Sequence, residues 1–312
     1  MNILESSSAS IKNGQNQYRN SMFEKVTVDE YNKRRNRMVK NENFIMQAKE
    51  SKTLQELNLT DDFLFDVATE ELENCKAIIE LTTGLRLKSL KWKSGQKVIH
   101  NLPGKRGVRL DFIAESEDGR IFDVEMQNRN EGNIPKRTRF YQALIDAPIL
   151  KSGERGFDKM NPLYIIIICN YDPYGKKKYC YTFDNQCKEV PGLRLGDEVT
   201  KLLLSTKGEN KEEVSKELVD FLHYVTESNE NGLPDECDER LKRLHESIRE
   251  IKASADMEVE YMKMEERERI IRDEGKQIGI INGKIESVLE LLEDKGEVPE
   301  KVKNVKKSHF FI

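Results

Sequence analysis

The chain has 312 residues, 35% of them charged and 37% apolar, and its 52 Lys and Arg against 56 Asp and Glu give a formal net charge of −4. That size bounds the answer to one large or two modest domains, and the composition fits a soluble protein with a real core and long polar helices. The negative balance argues against a protein that coats DNA nonspecifically, so any nucleic-acid contact has to come from a local basic face.

Residues 1–52 are rich in Ser, Asn, Lys and Gln and read as a flexible polar and basic extension. They lack the continuous apolar core of a signal peptide. From Asp29 to Lys49 the composition permits a basic helix carrying Lys33, Arg34, Arg35, Arg37 and Lys40. Both a phosphate-contacting arm and a solvated helix fit it, the second being the commoner case. Thr60-Asp61-Asp62 has the composition of a helix N-cap, and Phe63, Leu64, Val67, Leu72, Ile78, Ile79 and Leu81 follow at broadly helical spacing up to Gly84. Leu85 to His100 reads as a basic strand segment, after which Lys105, Arg106 and Arg109 lead into the most informative stretch.

That stretch, Gly107 to Gln127, predicts two alternating segments joined by a turn. In the second, Phe122, Val124 and Met126 alternate with Asp123, Glu125 and Gln127, which places three polar side chains on one side of one strand. A three-residue loop, Glu117-Asp118-Gly119, sets Ser116 opposite Arg120 and brings Asp111 to face Glu125. Two carboxylates directly across a strand pair repel unless something compensates, and a hard divalent ion does so with oxygen ligands. A two-residue loop would instead set Asp111 against Met126, so the cluster depends on register.

Beyond it, Pro135 opens a helix with Arg137, Arg139, Tyr141, Gln142 and Asp146, in which Phe140, Ala143 and Leu144 are expected to face the core. Leu163 to Cys169 is a continuous apolar, largely β-branched run, so a strand–helix–strand crossover should lay it parallel to Asp123–Gln127. The turn that holds Lys176, Lys177 and Lys178 suits either a DNA-backbone contact or an ordinary exposed hairpin. Tyr179–Phe183 and Val199–Ser205 read as further strands, and Asn210–Glu227 as an amphipathic helix broken at Gly232-Leu233-Pro234. The charged helical remainder reads as a solvated arm or an oligomer seam. Lys and Glu around Gly275, Gly279 and Gly283 exclude a membrane span. Five Cys in odd number, with no C-x-x-C pair, read as reduced thiols of a cytoplasmic protein, and the four His lack zinc-ligand spacing.

Asp111, followed after the hairpin by Glu125-Met126-Gln127, resembles the divided acidic motif of the PD-(D/E)XK nuclease superfamily. With LTDDFLF at 59–65, RTRFYQALID at 137–146 and Asp172-Pro173-Tyr174-Gly175, the run is similar to the recombination-promoting nuclease and transposase branch. The resemblance covers roughly Thr53 to Gly208. It implies an α/β fold, a restriction-endonuclease-like mixed central sheet flanked by helices over 53–208, with a charged helical C-terminal region over 209–312. It further implies a Mg²⁺-dependent DNA endonuclease, with Mn²⁺ as the alternative ion. Asp111 and Glu125 are then the metal-binding acids, Asp62 is a further acid in the metal shell with Glu70 behind it, and Gln127 stands where most such nucleases carry Lys. Arg109, Arg137, Arg139, Tyr141 and Gln142 are the expected substrate-binding residues. DNA is the expected partner, with self-association through the C-terminal helices. A catalytically weak nuclease-fold module that binds DNA or a protein is the alternative that Gln127 and the net charge favour.

Overall fold

A computed structural model describes residues 52–99, 108–149 and 156–294. The basic helix expected for 29–49, Lys105 and Arg106 lie outside the described residues. Six strands form one mixed sheet in the order β1-β2-β3-β4-β6-β5. They are β1 (Leu90–Ile99), β2 (Val108–Ser116), β3 (Ile121–Gln127), β4 (Leu163–Cys169), β5 (Cys180–Phe183) and β6 (Val199–Ser205). β1, β2 and β3 are antiparallel neighbours, while β3–β4 and β4–β6 are parallel. The crossover from β3 to β4 carries the helix α3 (Ile134–Asp146), preceded by α1 (Asp62–Ala68) and α2 (Leu72–Thr83). After the sheet come α4 (Lys216–Thr226), α5 (Glu239–Ala253) and α6 (Ala255–Asp294).

Residue parity decides the layers. On one face of the sheet Phe112, Ala114, Phe122, Val124, Met126, Ile166 and Ile168 bury into a core shared with α1, α2, α4, α5 and Tyr261 of α6. On the other face Ile113, Ile121, Ile165, Ile167 and Leu203 meet Ile134, Tyr141, Leu144 and Ile145 of α3. The C-terminal helices therefore complete the first core, through Leu218, Phe221, Leu241 and Leu244. Each such side chain contributes about 1.5–3 kcal/mol on burial.

The apolar run after Thr60 forms two helices, separated at Thr69–Glu71 and ended at the expected Gly84, with φ 71°. The cap of α1 is Asp61, whose side chain accepts from the Phe63 N–H, so Asp62 is the first helical residue and not the cap. In α3 the buried stripe is Ile134, Thr138, Tyr141 and Ile145, at spacings of four, three and four, with Leu144 beside it. Phe140 and Ala143 consequently face outward, against the expectation, because that stripe gives a better apolar face than one built on residue 140. α6 runs unbroken through Gly275, Gly279 and Gly283. No helix among the described residues is long and apolar enough to cross a membrane. The turn after β4 is built on Asp172, which accepts from Tyr174 N–H, Lys177 N–H and the Tyr181 hydroxyl. Lys177 and Lys178 are engaged there by Glu209 and Glu213.

Candidate active site

The hairpin between β2 and β3 is the three-residue form. Ser116 N–H donates to Arg120 O and Gly119 N–H to Ser116 O, both at 2.9 Å, with Gly119 at φ 89° where a side chain would be strained. This loop fixes the pairing as far as Phe112↔Val124, where the β2–β3 ladder ends, and Asp111 and Glu125 are the next residues on the two strands. There the two acids take over from the backbone ladder. Asp111 N–H donates to Glu125 Oε1 at 3.1 Å, and Met126 N–H donates to Asp111 Oδ2 at 2.8 Å. Each carboxylate is thus held by an amide of the opposite strand, a charge-assisted bond stronger than a neutral one.

Burial deepens along this face. Asp111 is part-exposed, Glu125 is 4% exposed and Asp123, two residues earlier on β3, is 0% exposed. Burial, then the charge of Asp111, pushes the Asp123 carboxyl well above the usual carboxylate range, opposed by Arg137. Glu125 is raised well above its ordinary value by burial, then by Asp123 and Asp111. Sequence reasoning saw Asp123 on the polar side of β3 but gave it no role. Its flanking strand neighbours are the apolar Ile113 and Ile165, a surrounding that the pairing of β2, β3 and β4 creates and the DVEMQ alternation alone does not.

α3 brings one cation to the acids. Arg137 Nη1 donates to Gln127 Oε1 at 2.6 Å, its Nε and Nη2 donate to the Tyr141 hydroxyl at 3.1 and 2.8 Å, and Nη2 lies 3.8 Å from Glu125 Oε2. Gln127 Nε2 donates to the Arg129 carbonyl at 2.8 Å, so both ends of that amide are engaged. Burial, then Glu125, pushes the Tyr141 phenol up to about 12. Of the expected substrate-binding set, Arg137 and Tyr141 therefore join the acids. Arg139 lies on the exposed side of α3, and Gln142 Oε1 accepts from Lys201 Nζ at 3.0 Å on β6 instead. Arg109 belongs to β2, two residues before Asp111. Asp62 is exposed at the start of α1, and the preceding Thr60 carbonyl accepts from Asn128 Nδ2 just past β3. That bond ties the start of α1 to the end of β3.

The donor set suits a hard divalent cation. Mg²⁺ commonly takes one or two carboxylates and fills its other positions with water and substrate phosphate. Asp111 and Glu125 supply two carboxylates, the first open to solvent. Among the described residues no group of three or more His, Cys, Asp or Glu is placed to hold an ion by itself.

A family model described as PD-(D/E)XK nuclease family transposase matches residues 87–279, a span that holds all six strands, the hairpin acids and α3. No curated protein and no solved structure matches the chain.

Proposed function

Because the chain belongs to the PD-(D/E)XK nuclease family of transposases, we propose that it is a metal-dependent DNA endonuclease linked to recombination or mobile elements, hydrolysing phosphodiester bonds in the cytoplasm. The observation that carries this reading is the cross-bonded pair Asp111 and Glu125, fixed by each other's strand and opening toward solvent at Asp111. Mg²⁺, or Mn²⁺ in its place, supplies a water of lowered pKa and offsets charge on the scissile phosphate when bound there. The chain's own part is positional and electrostatic. Arg137 places a guanidinium beside Glu125 where the superfamily Lys is missing, and its planar fork suits a phosphate. Gln127 holds that guanidinium through its oxygen, and the second N–H of its amide remains to orient water. Tyr141 keeps its proton and fixes Arg137 from the other side. Asp62 is proposed as the outermost acid of the site, since Asp61 relieves it of the cap. Arg109 and Arg139 are proposed to meet DNA phosphates on the flanks, with Gln142 holding Lys201 nearby.

The test is calorimetric Mg²⁺ or Mn²⁺ binding beside supercoiled-plasmid nicking, on wild type and Asp111→Ala. Nicking is expected to fall at least about 10³-fold and cation binding to vanish, at unchanged thermal stability. A wild-type level of nicking in Asp111→Ala removes the acid pair from the chemistry. One observation favours a second reading, a weakly catalytic binding module: the third motif position is Gln127, neutral and engaged at both ends. Wild-type protein that binds DNA without nicking it would select that reading.

We further propose that α6 associates with a second copy of the chain. Met257, Tyr261 and Met264 pack against the core, and the same stripe continues every seven residues as Ile271, Ile278 and Ile285, which are 67%, 58% and 51% exposed. A straight helix drifts off a seven-residue stripe, whereas a supercoiled pair keeps it buried. Ile271→Glu with Ile278→Glu should return a sedimenting dimer to monomer; a wild-type monomer at micromolar concentration rejects the seam.

A further inference from the structure

β3 carries a third acid that the reaction above does not use. Asp123 sits two residues before Glu125 on the same face, between Ile113 of β2 and Ile165 of β4, both buried. It is fully buried itself, and neither of its carboxylate oxygens has a hydrogen-bond partner among the described residues. A buried acceptor without a donor destabilises the fold, and the apolar row on either side would accommodate Val there without loss. Packing therefore does not account for the acid. Its electrostatic neighbours are Asp111, Glu125 and Arg137, the residues of the site itself.

We propose that Asp123 is a positioning residue, accepting hydrogen bonds from water held beneath Asp111 and Glu125 and through that water retaining the divalent cation of the acid pair. The inference rests on the reading of that pair as a cation site. Geometry favours a bridged contact over a direct one. Residues two apart on a strand are separated by about 6.5–7 Å along it, a span that a bridging water covers. Partners that orient metal-site groups from behind are worth about 10–100-fold in affinity. The unsatisfied oxygens of Asp123 are then a cost of function, carried at a place where local rules of folding call for an apolar side chain.

Full-length wild type, Asp123→Val and Asp123→Asn are to be compared by Mn²⁺ calorimetry, with thermal unfolding of each cation-free protein. The expected result is that Asp123→Val melts at or above the wild-type temperature while binding Mn²⁺ at least about tenfold more weakly. Asp123→Asn, which keeps one acceptor oxygen, is expected to lie between the two in affinity. A structural role moves the readouts the other way: lower melting temperature with unchanged affinity overturns the proposal, as does unchanged affinity at any melting temperature. If wild type and Asp111→Ala both bind no Mn²⁺, the cation reading of the acid pair fails, and this inference with it. Binding by wild type that is lost in Asp111→Ala and kept in Asp123→Val refutes Asp123 alone.

Discussion

The two faces of β3 share one backbone and have opposite chemistry. Phe122, Val124 and Met126 enter the larger core, where Phe122 stacks on Tyr164 with ring centroids 5.2 Å apart. Asp123, Glu125 and Gln127 face α3, and two of the three are buried as deeply as the apolar set. On the first face every contact lowers the free energy of folding. On the second, burial raises the energy of two carboxyls, offset in part by Arg137 and by the Asp111 amide. The contrast separates what holds the sheet together from what the sheet is for: stability is concentrated on one side of a strand so that strain can be carried on the other.

Breaking the apolar face should give the largest effect on folding and the least on the chemistry. Phe122→Ala removes a fully buried ring and is expected to cost about 3–5 kcal/mol in denaturant unfolding. Cation affinity of the folded fraction should stay at the wild-type value, because Phe122 points away from Asp111 and Glu125. Loss of affinity in a sample that is still folded would mean that the two faces are coupled.

Breaking the polar face should do the reverse. Arg137→Ala leaves Glu125 and Gln127 without their cation and is expected to lower the nicking rate about 100-fold, at a much smaller change in melting temperature. Arg137→Lys should recover part of that rate, since a point charge replaces the charge but not the fork. Full activity in Arg137→Ala would end its assignment as the replacement for the missing Lys.

Much of this contrast was legible before any coordinates. Alternation in residues 121–127 assigns the two faces, Glu117-Asp118-Gly119 offers the three-residue loop that the hairpin adopts while a two-residue loop stayed open, and the β-branched run at 163–169 points to the parallel neighbour. These are local rules with a period of two and one turn type. What stayed hidden depends on three dimensions. Side-chain polarity alone puts Phe140 inward ahead of Tyr141, while the sheet beneath α3 is met by the Ile134–Tyr141–Ile145 stripe. That Gln142 meets Lys201 follows from β6 lying beside β4, a long-range pairing absent from any local pattern. The burial of Asp123 likewise needs Ile113 and Ile165 on both sides, which only the assembled sheet supplies.

The smallest effect, and the sharpest on mechanism, concerns Tyr141. Its hydroxyl accepts two hydrogen bonds from Arg137 and, pushed up to about 12 by burial and by Glu125, stays protonated throughout the neutral range. A phenol that only fixes a guanidinium loses about one to two hydrogen bonds' worth of positioning when it becomes Phe, so Tyr141→Phe should slow nicking about tenfold. The sign of its pH dependence follows from the raised value. Below about 12 the group is neutral in wild type and absent in the variant, so the wild-type to variant ratio should be flat from about pH 6 to 9. A ratio that climbs with pH in that window would show the phenol giving up its proton during the reaction, and would move Tyr141 from holding Arg137 to taking part in proton transfer.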